Sequence, residues 1–263
     1  MNYTRLVVLI TIVLTMFSSG KAMATLPECD SPLKLSSTTQ WHPYIYQNDK
    51  GESTGLDVEL LIIILKRMGC ELEVIHFPER RALYELSQGH FDIGVGASKN
   101  ANRLKKFLYS LPYRHESNKF AFRADDQDVA ISSSLKELLD MNKVIAINDA
   151  GWYGEEIEQA KKNYPHFSHS PTLVRRLKML TANRVDIVVE DEIVLCTELL
   201  LPTYNNINIH PIALFETSVH FIFNKNSVSA VFLEQFDKVL NSMREDGSLQ
   251  KYYQKQLPLQ CQQ

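Results

Sequence analysis

The stretch that decides the fold is residues 89–103, which read GHFDIGVGASKNANR. Gly89 ends a short helix predicted over residues 80–87. Apolar residues then alternate with polar residues or glycine over residues 91–96, which predicts a β-strand. The glycines allow another group to approach this strand closely. The stretch therefore predicts a helix followed by a strand with an accessible backbone.

The same order of elements continues on both sides of this stretch. Short apolar runs predict further strands, and the amphipathic stretches between them predict crossover helices, as in a parallel sheet. The predicted strands are residues 33–36, 72–77, 144–147, 185–189 and 219–223, and the predicted helices are residues 56–68, 170–182, 193–201 and 227–245, with one more beginning near Trp152. The sequence therefore predicts an α/β protein with two such units, between which the chain crosses over and back.

The composition excludes several classes of protein. The chain has 263 residues, of which 44% are hydrophobic and 22% are charged, so a disordered or fibrous chain is excluded. The 28 Lys and Arg residues are balanced by 31 Asp and Glu residues, which leaves no basic excess to neutralise phosphates. We therefore expect no nucleic-acid partner.

Residues 1–24 have the features of a secretory signal peptide. Arg5 gives a weakly basic start, residues 6–17 form an apolar run, and residues 22–24 form a small-x-small cleavage site. The apolar run is shorter than the roughly 20 residues that a membrane-spanning helix needs. We expect cleavage after Ala24 and a periplasmic mature chain, with an uncleaved anchor as the alternative.

The four cysteines are Cys29, Cys70, Cys196 and Cys261. An exported chain meets an oxidising compartment, so these cysteines can pair, and three connectivities are possible. Because Cys29 and Cys70 each precede a predicted strand, and parallel strands start at the same edge of a sheet, we expect a disulfide between them. Buried free thiols are the alternative, and the pairing of Cys196 and Cys261 stays open. Their spacing does not resemble a zinc site, and we expect no metal and no cofactor.

Six sequence blocks resemble, in family order, the periplasmic solute-binding proteins of polar amino-acid ABC transporters. The blocks are WHPY (41–44), GLDVEL (55–60), the stretch 89–103, SLPY (110–113), RVDIVVEDE (184–192) and REDGS (244–248). The resemblance covers nearly the whole mature chain.

The resemblance implies a two-lobed periplasmic binding fold of type II. Each lobe is expected to contain a mixed, mostly parallel sheet flanked by helices. The first lobe would comprise residues 25–116 and 218–263, and the second lobe residues 117–217, joined by two hinge crossings.

The function implied by the resemblance is binding rather than catalysis. The protein is expected to bind a small polar solute, an amino acid or a related amine or acid, as a monomer that closes around its ligand and delivers it to an ABC permease. One alternative is a periplasmic sensory module that presents its ligand to a membrane sensor. Another is an enzyme of the dehydratase kind on the same fold, because Glu79, Asp191 and Glu192 are candidate acids and bases.

The resemblance also assigns the residues that hold the charged groups of an amino acid. Arg103 matches the position whose guanidinium binds the carboxylate, and Asp191 matches the carboxylate that binds the ammonium group. Ala97 and Ser98, at the end of the glycine-rich strand, would complete the carboxylate site. The structural alternatives are that Arg103 lies on a solvated helix face and that Asp191 caps the helix that follows it.

The remaining candidate ligand-binding residues come from three other places in the chain. Trp41 and Tyr44 would form an apolar wall. The amides of Gly151 and Trp152 would begin a helix whose positive end favours an anion, although Trp152 stands where the family usually has threonine. Glu79 takes a position that is commonly apolar or aromatic, and an inward-facing Glu79 would favour a cationic side chain or amine.

Overall fold

A computed structural model describes residues 26–37, 41–77, 79–148 and 151–261. The predicted signal peptide, residues 1–24, lies outside these ranges. Within them, no helix combines the length and the apolar character that crossing a membrane requires.

One mixed sheet of nine strands runs through the described residues. Its strand order is β4-β1-β5-β11-β6-β9-β7-β8, β10 pairs with β6, and β2 and β3 form a separate two-stranded sheet. The strands are β1 (Leu33–Ser37), β2 (Tyr46–Gln47), β3 (Ser53–Thr54), β4 (Leu72–His76), β5 (Ile93–Ser98), β6 (Phe107–Arg123), β7 (Ile145–Ile147), β8 (Phe167–His169), β9 (Ile187–Asp191), β10 (Ile207–Ile209) and β11 (Phe215–Asn224).

Helices cover this sheet. They are α1 (Leu56–Met68), α2 (Glu79–Gln88), α3 (Ala101–Lys106), α4 (Gln127–Ala130), α5 (Leu135–Asp140), α6 (Glu155–Asn163), α7 (Leu173–Thr181), α8 (Glu192–Leu199), α9 (Ala230–Glu245) and α10 (Ser248–Gln256). Short 3-10 helices lie at Pro27–Cys29, Pro202–Tyr204 and Leu259–Cys261.

Strands β6 and β11 form the centre of the sheet. β11 is antiparallel to β5 and β6, and β6 is antiparallel to β9, whereas the outer strands pair in parallel, β1 with β4 and β5 and β7 with β8 and β9. We call β4, β1 and β5 with their helices the first half, and β9, β7 and β8 with theirs the second half. The predicted α/β fold with mostly parallel sheets and two crossings is confirmed. The predicted lobe boundaries, at residues 116/117 and 217/218, fall inside β6 and β11.

The first half is built around α1 and α9. Helix α1 buries one face, including Leu60, Leu61 and Ile64, and ends at Gly69, whose positive φ of 78° allows its amide to bond back to the last turn. Phe221 of β11 packs on Phe236 of α9, with ring centroids 5.4 Å apart. Each such fully buried side chain contributes about 1.5 to 3 kcal/mol of hydrophobic stabilisation.

Three elements differ from the sequence-based expectation. The helix expected near Trp152 begins at Glu155, because the acidic residues that favour a helix N-terminus lie in that later turn. The helix expected from residue 170 begins at Leu173, since the Ser170 carbonyl accepts from the Arg176 guanidinium and stays outside the helix. Strand β9 extends to Asp191 rather than ending at residue 189, so Glu190 and Asp191 belong to the strand and point to opposite faces of it.

The resemblance implied a crossing of the chain near residue 116, but the apolar runs did not predict the long strand β6 that makes it. β6 spans 17 residues, and its apolar positions are interrupted by proline and charged residues around its midpoint, so it shows no simple alternation.

Two disulfides connect the described cysteines, and none of them is free. Cys29 is bonded to Cys70 just before the parallel strands β1 and β4, in which Leu33 lies opposite Leu72. Cys196 of α8 is bonded to Cys261, which follows α10. The second disulfide joins the C-terminal segment, which packs on the first half, to the second half. It is therefore a third covalent connection between the halves, in addition to the strands β6 and β11.

We expect the double substitution Cys196→Ser/Cys261→Ser to lower the free energy of unfolding by about 2 to 4 kcal/mol, because the disulfide closes a long loop in the unfolded chain. Urea unfolding of the wild type and of this variant, both under oxidising conditions, measures the loss. Cys29→Ser/Cys70→Ser, which removes the other disulfide, is the matched variant for comparison. Non-reducing peptide mapping identifies the pairs. Alkylation of Cys196 and Cys261 without reductant would contradict the assignment.

Candidate functional site

A cavity of about 160 Å³ lies between the first and second halves. Its walls come from the carboxyl ends of strands in both halves, represented by Ser98 of β5, Asn148 after β7 and Glu190 of β9. Glu116 of the crossing strand β6 and the loop that contains Trp41 complete it. In open α/β sheets the carboxyl ends of the strands are where ligands bind, so this cavity is the candidate site.

Arg103 is the cation among the described residues that line the cavity. Its Nη1 donates to the carbonyl oxygen and to the Oγ of Ser98, both at 3.2 Å. Its backbone N–H donates to Asn100 Oδ1 at 2.9 Å, which caps α3 and fixes the first turn of that helix. Burial lowers the pKa of the guanidinium, but an arginine stays protonated in proteins. Arg103 therefore presents a fixed cation to the cavity, whereas Lys105 and Lys106 are exposed.

Glu190 is a buried acid that also lines the cavity. It pairs with Arg176 of α7 and also accepts a hydrogen bond of 3.3 Å from the indole nitrogen of Trp41. The Asp191 amide donates to the same carboxylate at 3.1 Å. Both oxygens of Glu190 are thus held by the protein itself.

Glu116 is the second acid that lines the cavity, and it is held less tightly. Its Oε1 accepts from Asn118 Nδ2 at 2.9 Å, and its Oε2 lies 3.7 Å from Arg114 Nη1. Burial raises the pKa of Glu116, and the Arg114 charge opposes that shift. Glu116 therefore retains acceptor capacity that a ligand can use.

Arg114 is committed to Asp57, a fully buried acid at the start of α1. Arg114 Nε and Nη2 donate to the two oxygens of Asp57 at 3.2 and 3.3 Å, and Tyr113 donates to Asp57 at 2.6 Å. The guanidinium lies over the ring of Tyr44, 3.6 Å from its centroid. Burial raises the pKa of Asp57, against the opposing effect of Arg114.

Carboxylates outnumber guanidinium groups in the buried cluster that includes Glu116 and Glu190. Asp57, Glu116, Glu190 and Asp191 lie near Arg114 and Arg176, and two carboxylates are left without an equal positive charge. A buried cluster with excess negative charge favours protonation or a bound cation. The cavity is therefore lined by one fixed cation, Arg103, and by two acids of a cluster with excess negative charge.

Trp41 lines the cavity because Gly96 leaves room for it. A Cβ atom at Gly96 would lie 2.5 Å from the indole ring, and the φ of Gly96 is 69°. This is the close approach to the glycine-rich strand that the sequence predicts. Tyr44 packs on Trp41 with ring centroids 4.9 Å apart, but it is buried behind the cavity and does not line it.

Asp191, the expected ammonium ligand, caps α8 and is not among the residues that line the cavity. Its Oδ1 accepts from the amides of Ile193 and Val194 at 3.0 and 3.1 Å and from the Tyr44 hydroxyl at 3.2 Å. Because β9 continues through Asp191, side-chain alternation turns Glu190 toward the cavity and Asp191 away from it. Asp191 thus has the alternative role given in the sequence analysis, that of a cap for the helix that follows it.

The other expected site residues divide into two groups. Ala97, Ser98, Gly151 and Trp152 line the cavity. The amides of Gly151 and Trp152 precede α6 instead of beginning it, so the helix N-terminus expected there is three residues further on. The side chain of Glu79, the first residue of α2, lies outside the described part of the structure.

Glu116 and Glu190 were missed by the sequence reasoning. Glu190 directly precedes Asp191 in a matching block, and only the register of β9 decides which of the two faces inward. Glu116 follows the SLPY block by three residues, and recognising it required the crossing strand β6. Among the described residues, no group of three or more His, Cys, Asp or Glu side chains is arranged to hold a metal ion.

Residues 33–258 match the sequence family described as bacterial extracellular solute-binding proteins, family 3. Among individual relatives, the L-cystine-binding protein TcyA of Bacillus subtilis (strain 168) is 24% identical over 233 residues, covering 85% of this chain and 80% of the relative. The cyclohexadienyl dehydratase of Pseudomonas aeruginosa is 22% identical over 162 residues, covering 61% of this chain and 59% of the enzyme.

Solved structures share the fold. An ancestral arginine-binding protein bound to arginine superposes with a TM-score of 0.76 at 20% identity, covering 88% of this chain and all of that protein. At this level of identity the likeness concerns the fold alone.

Asp191 provides a test of the acidic cluster. Burial, together with the charge of Glu116, raises the pKa of Asp191 from about 3.8 to about 8. The unfolded chain releases this proton near its ordinary pKa and the folded chain releases it only near pH 8, so stability should fall as the pH rises between those values. Asp191→Asn keeps the capping oxygen but removes the titration.

Urea unfolding at pH 5, 6.5 and 8 measures this effect. We expect the wild type to lose more stability between pH 5 and 8 than Asp191→Asn does, because only the wild type carries the Asp191 titration. The difference between the two proteins isolates the effect of this group from that of the other titrating groups. Equal losses in both proteins would show that the Asp191 pKa is not raised.

Proposed function

This chain belongs to the bacterial extracellular solute-binding proteins of family 3, and on that premise we propose that it binds an α-amino acid between its two halves and delivers it to an ABC permease. The observation that carries the proposal is that both signs of charge line one cavity, with Arg103 as the cation and Glu116 and Glu190 as the acids. An α-amino acid presents a carboxylate and an ammonium group on one carbon, which matches that arrangement.

Arg103 is the proposed ligand of the carboxylate. Its Nη1 is fixed by Ser98, and an arginine has further donors on its planar guanidinium. Ser98 is itself buried at the end of β5, where its hydroxyl is within reach of the same anion. The amides near Gly151 and Trp152 approach the cavity from the second half.

Glu116 is the proposed ligand of the ammonium group, in the role that the sequence resemblance gives to Asp191. Both oxygens of Glu190 are engaged by the protein. Asp191 does not line the cavity, and its Oδ1 accepts from the α8 amides and Tyr44. Glu116 has only a distant arginine at Oε2, so it gains most from a bound cation.

Closure around the ligand is the proposed mode of binding. Arg103 belongs to the first half, Glu190 and Trp152 to the second, and Glu116 to the strand that joins them. A ligand that bridges these residues makes more contacts in the closed arrangement than in an open one, and this difference shifts the population toward closure. The lobes proposed to move are residues 25–116 with 218–263 and residues 117–217.

Binding without chemical conversion is part of the proposal, although a dehydratase is among the relatives. The described residues that line the cavity offer a charge pattern suited to holding a zwitterion. Recovery of the ligand unchanged after prolonged incubation would support binding, whereas turnover would establish an enzyme. We further propose that the protein acts in the periplasm as a monomer and binds to the permease to which it delivers its ligand.

We expect Arg103→Ala to weaken binding of an amino acid by about 2 to 5 kcal/mol, roughly 30-fold to several thousand-fold, because the substitution leaves a buried carboxylate unpaired. A thermal-shift screen of amino acids, amines and organic acids selects the ligand, and calorimetric titration measures the affinity. Lys105→Ala, on an exposed position of the same helix, is the control. An Arg103→Ala protein with wild-type affinity would refute this role.

We expect Glu116→Gln to weaken binding of the amino acid while leaving its des-amino analogue bound as well as, or better than, in the wild type, because only the amino acid carries an ammonium group. Glutamine keeps an oxygen for Asn118. Glu192→Gln, whose acid pairs with Lys119 and does not line the cavity, is the matched control. Parallel losses for both ligands would exclude Glu116 as the ammonium ligand.

A further inference from the structure

We propose that the amino acid taken by this protein has an uncharged, apolar side chain, which enters an apolar arm of the cavity between α2 and the strands β5 and β11. The inference rests on the proposed function, and it assigns the ligand class that the function leaves open.

The arm is defined by side chains from three elements. Its α2 wall consists of Ala82, Leu83 and Leu86, and its sheet wall contains Val95 and Ile222. Leu86 and Ile222 are each 1% exposed and belong to one buried apolar cluster.

Gly94 shapes the floor of this arm. A Cβ atom at Gly94 would lie 3.0 Å from both Leu86 Cδ2 and Ile222 Cγ1. The glycine therefore lets the apolar side chains of α2 and β11 approach β5 without a side chain between them. An apolar group of the ligand can continue the contacts that these residues already make.

In the proposed complex, the charged residues of the cavity pair with the carboxylate and ammonium groups of the ligand and leave none for its side chain. Among the described residues that line it, the charged ones are Arg103, Glu116 and Glu190. The ligand's carboxylate would pair with Arg103 and its ammonium group with Glu116, while Glu190 is paired with Arg176. A charged side chain in the arm would lose its hydration without gaining a charged partner among the described residues that line it.

Calorimetric titration with leucine, methionine, phenylalanine, glutamine, arginine, lysine and glutamate tests this class. We expect at least one of the three apolar amino acids to bind tenfold or more tightly than glutamine and every charged one. If arginine, lysine, glutamate or glutamine binds as tightly as the best apolar ligand, the inference is overturned while the proposed function stands. The arginine and lysine titrations also test the expectation that Glu79 favours a cationic side chain. If none of the seven binds, this inference is overturned, and the proposed function fails as well when the thermal-shift screen of the other amino acids also finds no ligand.

A pair of variants tests the location of the arm. Leu83 is partly exposed, so Leu83→Asp and Leu83→Asn are better tolerated than changes at the fully buried Leu86. Relative to the Asn variant, the Asp variant should shift the ratio of lysine affinity to leucine affinity at least tenfold toward lysine, because it places a carboxylate beside the ligand side chain. A general loss of structure would lower both affinities together. An unchanged ratio in a folded Asp variant would overturn the location.

Discussion

Burial of the ion pair between Asp57 and Arg114 is the constraint on which the site depends. Asp57 begins α1 in the first half, and Arg114 lies on the strand that crosses to the second half. Two buried charges are stable only while each holds the other, so α1 and β6 are locked in register at this point. Tyr113 donates to the same acid and accepts the amide of Gly96, which extends the network to the end of β5. Glu116, two residues beyond Arg114, lines the cavity as a result.

Arg176, the second arginine of the acidic cluster, neutralises a buried acid of the second half, as Arg114 does for Asp57 in the first half. Arg176 pairs with Glu190, and Glu190 in turn receives the indole N–H of Trp41. Trp41 packs on Gly96, so its ring connects the end of β5 to Glu190 of the second half, and Tyr44 makes a parallel contact to Asp191. The acidic cluster is thus assembled from α1, β6, β9 and α7 together, and no single segment carries it.

Three covalent connections join the two halves, and they differ in kind. β6 and β11 are strands of the central sheet, whose ladder hydrogen bonds hold them side by side. The Cys196–Cys261 disulfide instead ties α8 to a 3-10 helix at the end of the C-terminal segment, where Tyr252 donates to the Leu56 carbonyl at 2.9 Å. A hinge motion between the halves must therefore be accommodated by the strands and by the chain that follows α10.

The sequence by itself determined the α/β fold and the family, and it identified Ser98 and Arg103 as neighbours at the end of β5, because these depend on local periodicity and on a contiguous block in which the two residues lie five positions apart. Strand order also motivated the pairing of Cys29 with Cys70, since parallel strands start at one edge. Only the tertiary structure decided that Glu190 rather than Asp191 lines the cavity, because β9 continues through Asp191 and its alternation places these two neighbours on opposite faces. It also decided the roles of Glu116 and the Cys196–Cys261 pair, since both depend on segments distant in sequence that meet only when β6 and the C-terminal segment cross between the halves.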